Sequence, residues 1–288
     1  TAQAQVAGND GGARHGMGYR EAKRAVAAAT GYGRARQLRL RLHEARRRDL
    51  VRPGAVVVHG VDAHWLSPNG QWEIDSQFMS SDVNDITGTG ALADISFKPK
   101  QGVQHYLSLD WLEDTLNIRD LGFIRRNDSR NVIYRYSHTT GRGLKRLRSK
   151  STSAVVSNEW NQEGRLVRSG YFLRNSWTLK SLNEIRTELD FFPSKWDDRN
   201  SFGNGDFKTK NRFVGEVAFG TDTTKMLSFS ALLGGRQEEL GGWTTRSALG
   251  MTFRPNDRFS LDLDLNYFDR DGWLLHQFVF GQSEPAFD

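Results

Sequence analysis

Residues Phe259 to Phe268 switch between apolar and polar at almost every step. Phe259, Leu261, Leu263, Leu265 and Tyr267 form one set, and Ser260, Asp262, Asp264 and Asn266 the other. Successive side chains of a strand point to opposite faces, so this stretch specifies a strand with one apolar and one polar face, a pattern that helical periodicity does not produce. Aromatic residues close the apolar set at both ends, with leucines between. A length of about ten residues, aromatic ends and a polar second face are what a tilted strand of a membrane barrel requires.

The same pattern recurs along the chain. Val103, His105, Leu107, Leu109 and Trp111 alternate with Gln104, Tyr106, Ser108 and Asp110. Segments 167–179, 185–191 and 213–219 repeat it, with weaker copies near 56–66, 71–80, 90–99, 130–139, 152–161, 226–234, 246–254 and 272–280. That predicts about thirteen strands. Short turns are expected at Lys98–Gly102, Gly220–Thr224 and Arg254–Arg258. Longer polar loops are expected at Glu113–Ser129, Ser194–Lys210 and Gly235–Thr245. Short and long connections in alternation indicate a meander with its long loops at one end. A soluble β-sandwich also alternates, but turns its apolar set into a core. The positions of Leu261, Leu263 and Leu265 separate the two.

Composition removes other classes. With no cysteine, disulfides, zinc–thiolate centres and cysteine nucleophiles are excluded. No run of eighteen apolar residues is present, so no membrane-crossing helix is expected. The pI near 9.6 invites a nucleic-acid reading, but the charge is local. Residues 1–53 carry eleven Arg and one Lys against four acids, a net +8, and the remainder is close to neutral at −2. A basic pI confined to one arm gives the rest of the chain no reason to bind nucleic acid.

That arm differs from the remainder of the chain. It contains no Phe or Trp, and Pro53 closes it. A helical or disordered arm is expected over 1–53, since Tyr19–Leu50 holds good helix formers interrupted by Gly31 and Gly33. Val26, Leu38, Leu40, Leu42 and Leu50 repeat poorly at helical spacing, so an amphipathic helix for anionic lipid is the weaker form of this reading. Arg, Ala and Gly enrichment is also what an out-of-frame reading of a GC-rich gene produces, and a non-native stretch is the favoured reading of 1–53, ahead of the arm. Residues 54–288 form the expected barrel domain.

Two strings carry a resemblance. Asp120-Leu-Gly-Phe-Ile-Arg-Arg-Asn-Asp-Ser-Arg130 and Phe191-Phe-Pro-Ser-Lys-Trp-Asp-Asp-Arg199 resemble a bacterial domain of unknown function found C-terminal to a family-9-type carbohydrate-binding module. The resemblance covers about 56–280. It implies an outer-membrane barrel with a saccharide-related role, and it transfers no catalytic residues. No binding module is recognisable here, and the chain ends Glu284-Pro-Ala-Phe-Asp288 rather than on a terminal aromatic. A piece of a longer protein is therefore expected.

Candidate sites emerge from the barrel reading. Arg125, Arg126, Asp128 and Arg130 form the densest charged string. If it folds inward, it meets strand acids such as Asp110 and Glu188 as a constriction or plug. Asp262 and Asp264 form an Asp-x-Asp pair, read as two lumen-facing acids rather than a metal site. Trp196, Asp197 and Asp198 combine an aromatic with two acids in a long loop, where a sugar could stack or calcium find oxygen ligands. His59 and His64 fall on opposite faces of one strand, so a shared metal is not expected. No Gly-x-Ser-x-Gly elbow occurs. The expectation is an antiparallel all-β meander barrel in a Gram-negative outer membrane, partnered by its lipid, passing or binding a solute, without catalysis, cofactor or metal. The alternatives are a soluble β-sandwich carbohydrate-binding module and an outer-membrane barrel hydrolase, which would need a nucleophile–base pair at the lumen wall.

Overall fold

The computed structural model describes residues 38–48, 55–118, 124–199, 205–238, 241–270, 274–279 and 282–287. Among these residues all regular structure is strand, and no helix long and apolar enough to cross a membrane is present. The strands are β1 (Leu38–Arg48), β2 (Ala55–Leu66), β3 (Trp72–Val83), β4 (Ile86–Lys100), β5 (Val103–Leu112), β6 (Ser129–Thr140), β7 (Leu147–Trp160), β8 (Leu166–Leu179), β9 (Glu184–Phe192), β10 (Trp196–Asp197), β11 (Phe207–Lys208), β12 (Arg212–Gly220), β13 (Leu227–Gln237), β14 (Trp243–Asn256), β15 (Phe259–Arg270), β16 (Leu274–Val279) and β17 (Gln282–Phe287).

Thirteen of them form one antiparallel sheet in chain order, β1 to β9 and then β12 to β15. β10–β11 and β16–β17 are separate two-stranded ribbons. The up-and-down meander is as expected, and strands occupy all the segments read as strands. The two terminal regions differ. The 272–280 copy pairs with β17 outside the large sheet. Leu38–Arg48, expected within a helical or disordered arm, is a strand paired residue by residue with β2, from Leu38 opposite Trp65 to Arg48 opposite Ala55. The reason is legible in the same residues: Leu38, Leu40 and Leu42 repeat every second position, which fails as a helix and fits a strand. Residues 1–37 lie outside those described. β1 and β15 are the sheet's two edges, and no pairing joins them among the described residues.

The connections fall at the two ends of the strands, the two longest at the same end. At one end they are 67–71, 101–102, 141–146, 180–183, 221–226 and 257–258; at the other, 84–85, 113–128, 161–165, 193–211 and 238–242. The three expected short turns fall at the first end, hereafter the turn end, and the three expected long loops at the second, the loop end, where the one expected over Gly235–Thr245 shortens to 238–242. Asn84 and Asp85 make a two-residue connection with φ of 54° and 63°. A two-residue hairpin turn needs positive φ at both central positions, which Asn and Asp tolerate better than other side chains.

Register assigns each side chain to a face. One face carries Trp65, Ile74, Ile95, Leu107, Tyr134, Val156, Tyr171, Phe191 and Phe213 across neighbouring strands. Its charged residues in the regularly paired parts of β2 to β15 are Asp82, Arg130, Lys150 and Asp269, each within four residues of a strand end. Aromatics gather towards both ends. Trp111, Trp160, Tyr171, Phe191, Phe213 and Tyr267 lie towards the loop end, where the Phe191 and Phe213 rings are 4.6 Å apart. Trp72, Phe97, Tyr136, Trp177 and Phe253 lie towards the turn end, where the Trp72 and Phe97 rings stack at 4.1 Å. Ala93, Leu109, Val132, Leu173, Leu189, Leu249 and Leu265 fill the space between. This apolar face is the exposed one: Leu233 is 69% and Leu265 71% accessible. Leu261 and Leu263 are also exposed, so none of the three diagnostic leucines packs in a core.

The opposite face is polar and less accessible. Ser108, Glu159 and Asp190 are buried on it, and Arg174 pairs there with Glu188 at 2.9 Å. Its apolar patch lies at the loop end. Leu116 of the 113–128 loop folds back over it and packs with Met79, Leu92 and Leu112, flanked by Ile118 and Ile124. Gly88 and Gly90 make room: a Cβ on Gly88 would strike the Leu116 backbone, and one on Gly90 would meet Leu116 Cδ2 at 2.8 Å. Ser81 Oγ accepts the Asn117 amide at 3.0 Å, so the loop is held by hydrogen bonding as well as by packing.

Candidate functional site: a charged cluster at the loop end

The 113–128 and 193–211 loops converge above the loop-end segments of β7 and β8. Register puts Glu159 of β7 opposite Asn131 of β6 and Arg168 of β8 on the polar face. Glu159 is the anchor, at 1% exposure. Its Oε1 accepts the Ser129 hydroxyl at 2.8 Å. Its Oε2 pairs with Arg125, and the Arg168 guanidinium stands 3.8 Å away. A buried carboxylate is tolerable only when paired and hydrogen-bonded, which these three groups provide.

Arg126 makes the second centre. Its two terminal nitrogens donate to the two oxygens of Asp198 at 2.8 and 2.6 Å, a bidentate fork across loops 72 residues apart. A third acid, Asp128, approaches at 3.4 Å, and Arg126 Nε donates to the Asp128 carbonyl at 3.2 Å. The fork, outweighing burial, raises the Arg126 guanidinium above its ordinary range, and the same bond holds the Asp198 carboxyl below its own. Asp128 has a φ of 55° and its Oδ1 accepts the Gln162 amide at 2.6 Å, which ties the loop to the β7–β8 turn.

Lys195 Nζ lies 3.8 Å from Asp197, whose Oδ1 also accepts the Arg199 amide at 3.3 Å. Burial, and then the charge of Arg126, lowers the Arg199 guanidinium. Its side chain reaches the Asn127 carbonyl at 3.5 Å. Trp196 stands beside this centre with Arg165 5.3 Å and Lys208 6.0 Å from its ring, held by the pairing of β10 with β11. The cluster borders a half-open cavity of about 270 Å³ lined by Arg125, Arg126, Arg168, Lys195 and Arg199, with Glu159, Asp197 and Asp198 as its acids and Val167 as its apolar wall.

The expected site residues therefore divide. Arg125, Arg126, Asp128, Asp197 and Asp198 come together, joining the two strings that carried the family resemblance; residues 120–123 of the first lie outside those described. The expected partners are replaced. The arginines take Glu159 and Asp198, whereas Asp110 accepts from Asn131 at 3.0 Å and Glu188 from Arg174. Arg130 does not join the polar-face cluster: it lies on the apolar face at its rim and donates to Gln162 at 2.9 Å. Asp262 and Asp264 share the polar face but stand on edge strand β15, away from the loops, with Ser260 Oγ donating to Asp262 at 3.1 Å. Glu159, Arg168 and Lys195 were not anticipated. Glu159 is an acid set in a Ser-Asn-Glu-Trp stretch with no motif, and only register pairs it with Arg168.

His64 finds its partners across the hairpin rather than at His59. Its Nδ1 is 2.6 Å from Asp75 Oδ1. Together with Glu73 the ligand-type atoms lie within 4.8 Å of one another. Lys98 approaches Glu73 at 3.8 Å, so the acid already has a cation beside it. These are the residues among those described that could hold a metal ion. His105 Nδ1 is 2.8 Å from Tyr134 Oη. Neither histidine contact is the serine pairing a hydrolase would use.

A family model described as a domain of unknown function, DUF5916, matches residues 51–277. The chain belongs to this family. The DUF5916 match begins just before β2 and ends within β16, so it spans most of the large sheet and both loops of the cluster. No curated protein and no solved structure matches the chain.

Proposed function

We propose that this DUF5916 domain is part of the wall of an outer-membrane β-barrel that passes or binds a solute, without catalysing a reaction, and that the loop-end cluster narrows its lumen. The carrying observation is the inversion of the two faces. The apolar face is exposed, free of charge except near strand ends, and edged by aromatics, while the polar face is less accessible, except on the edge strand β15. In water, exposing that much contiguous apolar surface is unfavourable by about 25 cal/mol per Å². In a bilayer the same surface is at no disadvantage and the aromatics lie at the interfaces. A soluble sandwich would bury Leu249 and Leu265 instead.

The 113–128 loop supports the constriction. Its described residues bury Leu116 on the polar face and present Arg125 and Arg126 to acids of two other segments. Such a loop reduces an aqueous path rather than extending outward from it. A saccharide as the solute is supported by the family resemblance alone. Extraction and gel migration test the barrel: a chain that needs detergent for release from membranes and migrates faster unheated than boiled fits the reading. Release by salt or carbonate alone, with identical migration in both states, overturns it.

A further inference from the structure

We propose that the cavity at the loop end is an oxyanion site, binding a carboxylate or phosphate group of the solute through Arg168 and Arg199. This rests on the reading of the polar face as a lumen wall. Five bases and three acids line the cavity. Arg125 and Arg126 have close acid partners in Glu159 and Asp198, while Lys195 and Arg168 each stand 3.8 Å from an acid, Asp197 and Glu159. Five bases against three acids leave two positive charges in excess. Counting Asp128, which approaches Arg126 from outside the lining, one remains.

The geometry shows where the excess lies. Glu159 gives its close contact to Arg125, and Arg168 stands off at 3.8 Å. Among the described residues the Arg199 side chain donates to a backbone carbonyl at 3.5 Å, while Asp198 spends both oxygens on Arg126. A guanidinium carries five N–H donors, so both arginines retain donors for a further acceptor. Cations gathered around few acids in a partly enclosed space repel one another, and an entering anion relieves that repulsion. A planar carboxylate or a phosphate meets two guanidinium forks with parallel hydrogen bonds that a neutral hydroxyl cannot reproduce in charge. Trp196, two residues before Asp198, reports occupancy by fluorescence.

The test uses the full chain folded in detergent micelles, titrated with inorganic phosphate, with glucuronate and with glucose, and read by Trp fluorescence and calorimetry. Binding of phosphate or glucuronate, glucose binding at least tenfold weaker, and a further tenfold loss in both Arg168→Gln and Arg199→Gln support the site. The stronger of the two anions identifies the group. Affinity must also fall as salt is raised, which can be measured on the unaltered chain even if a variant fails to fold. Equal binding of glucose, salt-independent binding or unchanged affinity in the variants overturns the site. Heat-modifiable migration is scored on the same samples. A chain that shows it and binds neither anion loses the oxyanion site and keeps the barrel. A chain that lacks it loses the barrel, and with it the solute that the site is proposed to serve.

Discussion

Replacing Glu159 by glutamine removes one charge and keeps the shape. The carboxylate is 1% exposed, pairs with Arg125, accepts from Ser129 and faces Arg168. In Glu159→Gln two guanidinium groups lose their shared counter-charge. Breaking a fully buried pair from one side costs about 3–5 kcal/mol. Arg125 and Arg168 are 43% and 37% exposed and turn partly to water, which reduces the loss. We expect about 2–3 kcal/mol once this screening is allowed for. Urea titration of the detergent-folded chain, followed by Trp fluorescence and by the fraction of heat-modifiable species, measures it. Arg125→Gln alone leaves Glu159 buried with Ser129 and Arg168 and costs less, and the double variant should be less destabilised than the sum. A loss below about 0.5 kcal/mol for Glu159→Gln, in the range of an ordinary surface change, would refute the role of this acid as the anchor of the 113–128 loop.

Leu265→Arg puts a charge in the middle of the apolar face. In a bilayer it should reduce insertion by about 2–4 kcal/mol, read as the folded fraction in vesicles, whereas a water-facing leucine would tolerate it. Asp198 contributes a pH limb. Arg126 holds its folded-state value below the ordinary 3.8. The stabilisation is therefore complete above about pH 4 and is lost as pH falls through the lower folded value. Asp198→Asn should flatten that acid limb, and stability measured from pH 6 down to pH 2 checks it. Gly88→Ala drives a methyl into the Leu116 backbone and should lift the 113–118 segment from β4, losing roughly 2 kcal/mol of buried leucine. Faster protease cleavage within 113–118, with the sheet retained, is the expected result.

The large sheet is legible in the sequence because period two has a single structural meaning. Phe259–Phe268 and Val103–Trp111 name their faces without reference to any contact. β1 is hidden although Leu38, Leu40 and Leu42 alternate there, because the surrounding Arg, Ala and Gly dominate the composition and arginines fill the intervening positions. The β16–β17 ribbon shows the opposite limit: alternation identifies a strand but not the sheet it joins. At the site, Arg125 and Arg126 are visible as a dense string, and Asp197 and Asp198 as an acid pair. Their union spans 72 residues and depends on where two loops end. Arg130 shows how one residue of slip matters. It lies one step past Ser129 on β6, and that step carries it from the polar to the apolar face.

Every strand of the large sheet pairs with its predecessor in sequence, and only the β9–β12 junction skips anything, the small β10–β11 ribbon. Each new strand therefore closes a loop of two to about twenty residues, and loop-closure entropy rises only slowly with such lengths. The sheet can grow one hairpin at a time from either end, with no early distant contact. The slow step is then displaced to the loop end, where Arg126 must find Asp198 after β7, β8 and β9 are in place. Assembly of the sheet should accordingly precede ordering of the cluster, and a kinetic experiment should see two phases, the later one sensitive to salt.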